Sequence, residues 1–407
     1  MASHDHHPGL MAAVQGQPRQ VWITAFAAVI AFMGIGLVDP ILLSIAEGLS
    51  ASPSQVTLLF ASYLGVQVVA MLLTGACSAR FGAKRTVLTG LVLIVIATAA
   101  CATANSIGLL IGLRGLWGLG NAFFIATALS VIVGAATGGQ QGAILLYEAA
   151  LGLGLSVGPL LGALLGAVSW RAPFVGTAVL MAVALVLCAA FLAPDTPAGR
   201  PRVGLLDPLR ALRHGGLLRT AIGSALYTAA FFTVLAWTPF VLQFSAVQVG
   251  LVFFGWGLCV AVAGVALAPR LAAWVGEVSA TVLAVTGYAV LMLLLAVGSK
   301  PVVVVVVVLS GLVSGLLNTL FTGTAMSVSP VPRPVASAGY NFCRWLGGAV
   351  AATLVGHVAG WFGSAHAPFV VAAVCCVVAA VLLVARRAGQ PDPHTVPAEA
   401  VLVGEEF

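Results

Sequence analysis

Residues 154–162 read Gly154-Leu-Ser-Val-Gly158-Pro159-Leu-Leu-Gly162, within a longer apolar stretch. The four-residue spacing puts the three glycines on one face of a helix, where the missing side chains let a second helix approach closely. One such spacing would indicate ordinary packing of small residues, but a repeat that also carries Gly-Pro is more specific. In lipid the backbone has few alternatives to a helix, so glycine and proline are tolerated there. The stretch therefore predicts a membrane helix that packs tightly and bends.

The composition excludes an ordinary soluble protein. The 407 residues are 61% hydrophobic and only 7% charged, whereas a soluble domain carries about 25% charged residues. The seven cysteines lie in or beside apolar segments without CxxC spacing, which is typical of small buried residues rather than of disulfides or metal ligands. The His-Asp-His-His at residues 4–7 is a weak metal-site candidate, and a flexible polar terminus is favoured. We expect no cofactor and no metal.

Twelve segments are long and apolar enough to cross a bilayer, which takes about 20 residues. The predicted spans 1 to 12 are 21–46, 55–78, 86–104, 106–133, 142–168, 173–193, 217–242, 248–268, 279–298, 301–326, 335–362 and 367–385. A long polar interval after span 6 divides them into two groups of six. We therefore predict an all-α integral membrane protein with tails at 1–19 and 387–407, six-helix bundles at 20–193 and 217–386, and a cytoplasmic linker at 194–216.

The basic residues indicate the orientation of the chain. With both termini in the cytoplasm, thirteen of the seventeen Lys and Arg residues lie inside and only Arg171 and Lys300 lie outside. This distribution satisfies the positive-inside rule, and the opposite orientation violates it. The net charge of +6 therefore indicates topology and contact with anionic lipid rather than binding to nucleic acid.

Four ionisable residues fall inside the predicted spans: Asp39, Arg114, Glu148 and Arg344. Each costs about 3 kcal/mol or more at membrane depth, so such residues face the protein interior or a water-filled cavity and are functional candidates. Glu148 lies near the inner end of span 5. It therefore either carries a proton or is solvated by cytoplasmic water.

Asp39 and Arg114 are predicted to lie at the same depth. Asp39 is eight residues before Glu47 at the outer end of span 1, and Arg114 is eight residues after Ser106 at the outer end of span 4. A rise of 1.5 Å per residue places both about 12 Å below the outer surface. They can form an ion pair if the two helices touch, and that pair is either a proton-coupling element or a static structural contact.

Two further patterns accompany the span 5 repeat. The segment Gly75-Ala-Cys-Ser-Ala-Arg-Phe-Gly-Ala-Lys-Arg85 joins spans 2 and 3, and span 4 reads Arg114-Gly-Leu-Trp-Gly-Leu-Gly120. The basic segment alone indicates only topology. In this chain order, however, the three patterns resemble the motifs of the major facilitator superfamily. The span 5 repeat is similar to the signature of its antiporters, so residues 20–390 resemble a 12-span drug:proton antiporter with two pseudo-symmetric bundles.

The resemblance assigns conformational roles to nine residues, and this sequence departs from the family pattern at four others. The nine residues are Gly75, Arg80, Gly82, Lys84, Arg85, Gly154, Gly158, Pro159 and Gly162. The departures are Ala79 for the family acid, Ala83 for an Arg, Trp117 for the span 4 Gln and Ala163 for a Gly. Because the family acid helps to lock the outward-open state, Ala79 implies that this lock is weakened or rebuilt with other partners.

The second half repeats the first faintly. Pro269–Gly276 occupies the place of the basic loop, and Gly348, Ala352, Gly356 and Gly360 give span 11 a small-residue face. A parallel repeat places the substrate site between the halves near the midplane. The candidate cavity residues, each aromatic of which also fits plain packing or the interfacial belt, are Tyr63, Gln67, Tyr147, Tyr227, Phe231, Trp237, Asn318, Asn341 and Arg344.

The sequence has no nucleotide-binding loop and no zinc spacing, and its Gly-x-Ser-x-Gly at residues 154–158 lies inside an apolar span rather than in a turn between a strand and a helix. It therefore predicts neither an ATP-driven pump nor an enzyme. We expect a monomer in the cell (plasma) membrane that exports a small, lipophilic molecule in exchange for protons by rocking of the two halves. Asp39 and Glu148 are the proton candidates, Arg114 is their electrostatic partner, and residues 154–162 form the pivot. A proton-coupled uptake symporter and a non-transporting membrane receptor remain as alternatives.

Overall fold

The computed structural model describes residues 16–136, 139–193, 204, 206–329 and 333–388, and every regular element in them is a helix. Twelve of these helical segments are long and apolar enough to cross a membrane, which confirms the predicted architecture. Most of the two predicted tails, and residues 194–203 and 205 of the predicted 194–216 linker, lie outside the described residues. Spans 1 to 12 run over Arg19–Gly48, Pro53–Phe81, Ala83–Ala102, Ile107–Ala135, Gly139–Gly166, Ala172–Phe191, Gly215–Leu242, Ala246–Val275, Glu277–Val297, Lys300–Ser327, Arg333–Trp361 and Ala367–Ala388.

The predicted basic loops after spans 2 and 8 are helical. Span 2 continues to Phe81 and span 8 to Val275, so a single glycine makes each turn. Gly82 has φ 93° and Gly276 has φ 80°, a left-handed region that glycine enters without steric cost. The predicted boundaries were too short because basic side chains at a membrane surface extend toward the headgroups while their backbone stays helical. The two turns therefore share one backbone conformation, as expected for a repeat.

Span 1 is broken at the start of its last third. Its first helix ends at Gly36, Asp39–Ile41 forms a turn of 3-10 helix, and a second helix runs from Leu42 to Gly48. Pro40 lies inside that turn and has no N–H to donate. The break places Asp39 at a helix interruption rather than on a continuous helical face.

The two halves meet through two equivalent pairs of helices. Span 2 packs against span 11, and span 5 packs against span 8. In a parallel repeat of six spans, span 2 is equivalent to span 8 and span 5 is equivalent to span 11. The two contacts are therefore related by the repeat. The chain between the halves contributes a short helix, Asp207–Ala211, that contacts span 11: a Cβ on Gly339 would overlap the Pro208 carbonyl.

The glycines of span 5 face the backbone of span 1. A Cβ on Gly154 would lie 2.5 Å from the Val29 carbonyl oxygen, and a Cβ on Gly158 would lie 2.5 Å from that of Met33. Gly162 meets the Leu37 carbonyl in the same way. Because real Cβ atoms need more than 3 Å from a carbonyl oxygen, this contact admits glycine and no larger residue. Two helices therefore touch backbone to backbone at three points over about two helical turns.

The corresponding face of span 11 is different. A Cβ on Gly348 would lie 2.5 Å from the Phe232 ring of span 7, while a Cβ on Gly360 would have no neighbour within 4 Å. The span 11 glycine that meets the backbone of span 7, at Ala225, is Gly347. Of the expected small-residue face, Gly348 thus meets an aromatic ring of span 7, and Gly356 faces span 2, where a Cβ would lie 2.8 Å from the Ser54 Cα.

Candidate functional site

Arg114 is fully buried in the first half and is held by backbone carbonyls and aromatic rings. Its Nη1 donates to the Gly34 carbonyl of span 1 at 3.3 Å, and its Nε donates to the Leu59 carbonyl of span 2 at 3.4 Å. The guanidinium carbon lies 4.5 Å from the ring centroids of both Tyr63 and Trp117. Cation–π contacts of this kind stabilise a desolvated guanidinium by about 2 kcal/mol. Trp117, a departure from the family pattern, thus contacts Arg114 directly.

Asp39 is also fully buried, but neither of its carboxylate oxygens bonds to any residue that the structure describes. The ion pair predicted with Arg114 is therefore not formed. The broken end of span 1 carries Asp39 five residues beyond Gly34, where Arg114 is bound. An unpaired carboxyl in an apolar site is much less costly when a proton neutralises it. Asp39 is thus a buried carboxyl in the same region as the buried Arg114 guanidinium, and no hydrogen bond or ion pair to a described residue fixes its protonation state.

Tyr63 and Gln67, predicted to line the cavity, lie buried in span 2. The Tyr63 hydroxyl accepts a hydrogen bond from the Asn121 side chain of span 4, and the Tyr63 ring packs edge-on against Trp117, with ring centroids 5.9 Å apart. Both amide atoms of Gln67 are buried without a partner in the described chain. Sequence reasoning missed Asn121, although a lone amide in an apolar span is a detectable signal.

A narrow cavity, with a free volume of about 20 Å³, lies between the two halves. Most of its wall is aliphatic or aromatic. Three predicted residues line it, namely Phe231, Asn318 and Arg344, whereas Thr228 and Trp345 were missed. The full lining is Phe32, Ile35, Leu151, Leu155, Thr228, Phe231, Phe232, Asn318, Arg344 and Trp345. Spans 1, 5, 7, 10 and 11 contribute these residues, so both halves form the wall.

The polar part of the cavity wall is a connected network. The Arg344 Nη2 donates to the Asn318 side-chain oxygen at 2.8 Å. The Tyr227 hydroxyl lies 3.1 Å from the same oxygen and 3.1 Å from the Ser314 carbonyl. Tyr227 is buried against Phe321, Tyr288 and Phe231. Tyr227 therefore lies behind the wall and fixes the orientation of Asn318.

The remaining predicted residues lie in several places. Tyr147 packs edge-on against the cavity residue Phe32, with ring centroids 5.5 Å apart, while Trp237 donates to the Ala365 carbonyl at 2.8 Å, beyond the end of span 11. Asn341 is half-buried in span 11. The side chain of Glu148 lies outside the described part of the structure.

The residues of the span 2–3 motif lie at one end of the bundle. Arg80 and Arg85 are exposed, and Lys84 donates to the Leu192 carbonyl at the end of span 6 at 2.6 Å. The Arg80 guanidinium lies 5.4 Å from the Phe81 ring centroid. The helical positions of Gly75 and Ala79 are described, but their side-chain surroundings are not. This end of the bundle therefore presents a cluster of positive charge.

The sequence profile described as "Major Facilitator Superfamily" matches residues 24–352. The chain belongs to this superfamily. The fold agrees: the human organic anion transporter MFSD10 (TETRAN) superimposes with a TM-score of 0.69 at 20% identity, covering 90% of this chain and all of that one. This facilitator is therefore a membrane transporter rather than an enzyme.

Two curated relatives cover nearly the whole facilitator. The "Multidrug efflux protein YfmO" of Bacillus subtilis is 45% identical over 373 residues, which is 91% of this chain and 94% of the relative. The "Chloramphenicol resistance protein" of Streptomyces lividans is 32% identical over 375 residues, 86% of this chain and 91% of the relative. The "Tetracycline resistance protein, class C" of Escherichia coli is 32% identical over half of each chain.

Proposed function

We propose that this facilitator exports small, largely apolar organic molecules in exchange for protons by alternating access. The observation that carries the proposal is the cavity between the halves, whose wall is mostly apolar and contains one polar network. A site of this kind, shared by two bundles, can open to either side when the bundles rock. The efflux and resistance proteins similar to this chain favour export as the direction.

Asp39 is the proposed proton carrier. It is buried without a hydrogen-bond partner among the described residues, and the Arg114 guanidinium lies in the same region, bound to span 1 at Gly34. A nearby cation favours the carboxylate and burial favours the neutral acid. A small movement between spans 1 and 4 therefore changes the proton affinity of Asp39. Glu148 stays a second candidate.

The glycine face of span 5 is the proposed pivot. Span 5 contacts span 1 through three glycines and contacts span 8 of the other half on a second face, where a Cβ on Gly257 would lie 2.6 Å from the Ser156 Cα. Surfaces without side chains let helices slide with little steric cost. A movement of one half is therefore transmitted to the break in span 1, where Asp39 lies.

We further propose that the protein is a monomer in the inner (plasma) membrane with both termini in the cytoplasm. The orientation rests on the distribution of Lys and Arg. The exposed Arg80 and Arg85 share the end of the bundle that this orientation places inside, whereas Arg171 and Lys300 lie at the opposite end.

Everted membrane vesicles test the proposal. Vesicles that contain the protein and are acidified inside should accumulate chloramphenicol, tetracycline or the neutral dye phenylnaphthylamine, and a protonophore should abolish this uptake. Vesicles without the protein are the control. If none of the three compounds accumulates in everted vesicles, and one accumulates in right-side-out vesicles when the outside is acidified, the protein is an uptake symporter and the proposal is wrong.

A further inference from the structure

The charge of the cavity wall distinguishes classes of substrate. Arg344 is the one ionisable side chain among the described residues that line the cavity. It is partly exposed, unlike the fully buried Arg114, and no acidic residue contributes to the described wall. A cationic molecule in this cavity would face a positive charge that no described residue of the wall compensates, in surroundings where charges are weakly screened.

Most donors of Arg344 are available to a ligand. A guanidinium has five N–H donors, and the hydrogen bond to Asn318 uses one of them. No other bond to this guanidinium is present within the described chain. The guanidinium carbon also lies 5.5 Å from the Trp345 ring centroid. One edge of the cation is thus held by Asn318 and its neighbour Trp345, while other donors are free to bind an acceptor.

The partner of Arg344 is held in place from behind. The Asn318 oxygen lies within 3.1 Å of the buried Tyr227 hydroxyl and accepts from Arg344 at 2.8 Å. The Tyr227 ring stacks on Phe321 with a centroid distance of 5.9 Å. A guanidinium held in this way loses little conformational freedom when it binds a ligand. The arrangement is that of a pre-organised anion anchor on an apolar wall.

We propose that the substrates of this transporter are amphipathic organic anions, whose carboxylate, sulfonate or ionised phenol binds Arg344 while their apolar body packs on Phe32, Phe231 and Trp345. The proposal rests on the export function proposed above and names its substrate class. Charge-assisted hydrogen bonds to a guanidinium are the strong ones, and a forked donor suits a planar or trigonal anion.

Equilibrium dialysis of the purified protein in lipid nanodiscs tests this inference, with empty nanodiscs subtracted. The probes share one ring system: anilinonaphthalene sulfonate, its neutral parent phenylnaphthylamine, and a trimethylammonium derivative. The anion should bind on the order of tenfold more tightly than the neutral parent, since hydrogen bonds to a charged group are stronger than those between neutral groups. The cation should bind most weakly.

Single-residue variants test whether Arg344 causes the preference for the anion. Arg344→Gln should remove the tenfold preference for the anion, and binding of the neutral parent that remains shows that the variant is folded. Arg344→Lys should keep part of the preference. Lys300→Gln, a matched loss of one positive charge at the end of span 10, should keep all of it.

Three results would overturn the anion anchor. One is equal binding of the anion and its neutral parent by the wild type. Another is an anion preference that survives Arg344→Gln. The last is an anion preference that appears only with Glu148→Gln, because Glu148 would then neutralise Arg344 in the native protein. A failure of the export proposal can be distinguished from these results. If the vesicles transport nothing while the anion preference depends on Arg344, the export proposal is wrong and the assignment of Arg344 as the anion anchor is retained.

Discussion

The two halves of the molecule share one topology but pack their equivalent helices differently. In the first half, spans 5 and 1 touch backbone to backbone at Gly154, Gly158 and Gly162. In the second half, span 11 reaches the backbone of span 7 at Gly347, and its neighbour Gly348 meets the Phe232 ring. These helices are therefore joined by three backbone contacts in the first half, and by one backbone contact and one aromatic side chain that can repack in the second half.

The ionisable residues of the two halves also lie in different surroundings. Asp39 and Arg114 are enclosed within the first bundle, whereas Arg344 faces the cavity between the bundles. We therefore propose that the first half binds the proton and that Arg344 of the second half selects the substrate.

Asp39→Asn should have the largest effect. An amide resembles the neutral carboxyl in shape but cannot release a proton, so proton-driven export in everted vesicles should fall by about 100-fold or more, which corresponds to roughly 3 kcal/mol of lost coupling. Exchange of labelled for unlabelled substrate, which needs no net proton movement, should persist. Glu47→Gln, an exposed acid at the outer end of the same span, is the matched control. Wild-type export by Asp39→Asn would remove this residue from the mechanism.

Gly158→Leu should be next in size. The new side chain meets the Met33 backbone, and overpacking costs about 1–3 kcal/mol. Export should fall about tenfold, and the accessibility of engineered cysteines on the two sides should shift. The matched control is Gly360→Leu in span 11, where a Cβ would have no neighbour within 4 Å. Equal behaviour of the two variants would show that the span 5 face is not a packed surface.

Gly348→Ala tests the softer packing of the second half. Its methyl group meets the Phe232 ring, which can rotate or shift, whereas the methyl group of Gly158→Ala meets a carbonyl that cannot. Thermal unfolding in detergent should therefore show a loss of about 1 kcal/mol or less for Gly348→Ala and a larger loss for Gly158→Ala. The reverse order would contradict the comparison of the two halves.

Ala79→Asp should have the smallest effect. If the missing family acid weakens the cytoplasmic closure, restoring it beside basic residues such as Arg80 should shift the population toward the outward-open state. The shift should be about 1 kcal/mol or less, because a pair near the surface is screened by water and salt. Spin-label distances between the cytoplasmic ends of spans 2 and 11 measure it, with Ala79→Asn as the control. Identical distance distributions in all three proteins would show that another contact closes the inner side.

The sequence predicts the fold well because a membrane span is a local property of about 20 consecutive residues. The turns after spans 2 and 8 were harder to predict, since Arg80 and Arg270 suggest a loop although the helix continues past them to Gly82 and Gly276. The glycine spacing of span 5 predicts close packing, but nothing local shows that the partner is span 1.

The cavity was only partly predictable, because its lining depends on which face of each helix turns inward. Arg344 and Asn318 were found as polar residues in apolar spans, and both line it. Tyr63 has the same signal but packs on Arg114 and bonds to Asn121 instead. Trp237 bonds to Ala365. Polarity thus identifies candidates, and only tertiary packing decides between the cavity and the bundle interior.

The most direct test of the central claim is a measurement of protons released when substrate binds. Of chloramphenicol, tetracycline and phenylnaphthylamine, the compound that the everted vesicles accumulate fastest is chosen. It is mixed with purified protein in weakly buffered detergent solution, and the pH change is recorded. If Asp39 carries the proton, the wild type and Glu47→Gln should each release about one proton per transporter. Asp39→Asn should still bind the compound but release no proton. Undiminished proton release by Asp39→Asn would show that the proton is carried elsewhere and would contradict the account.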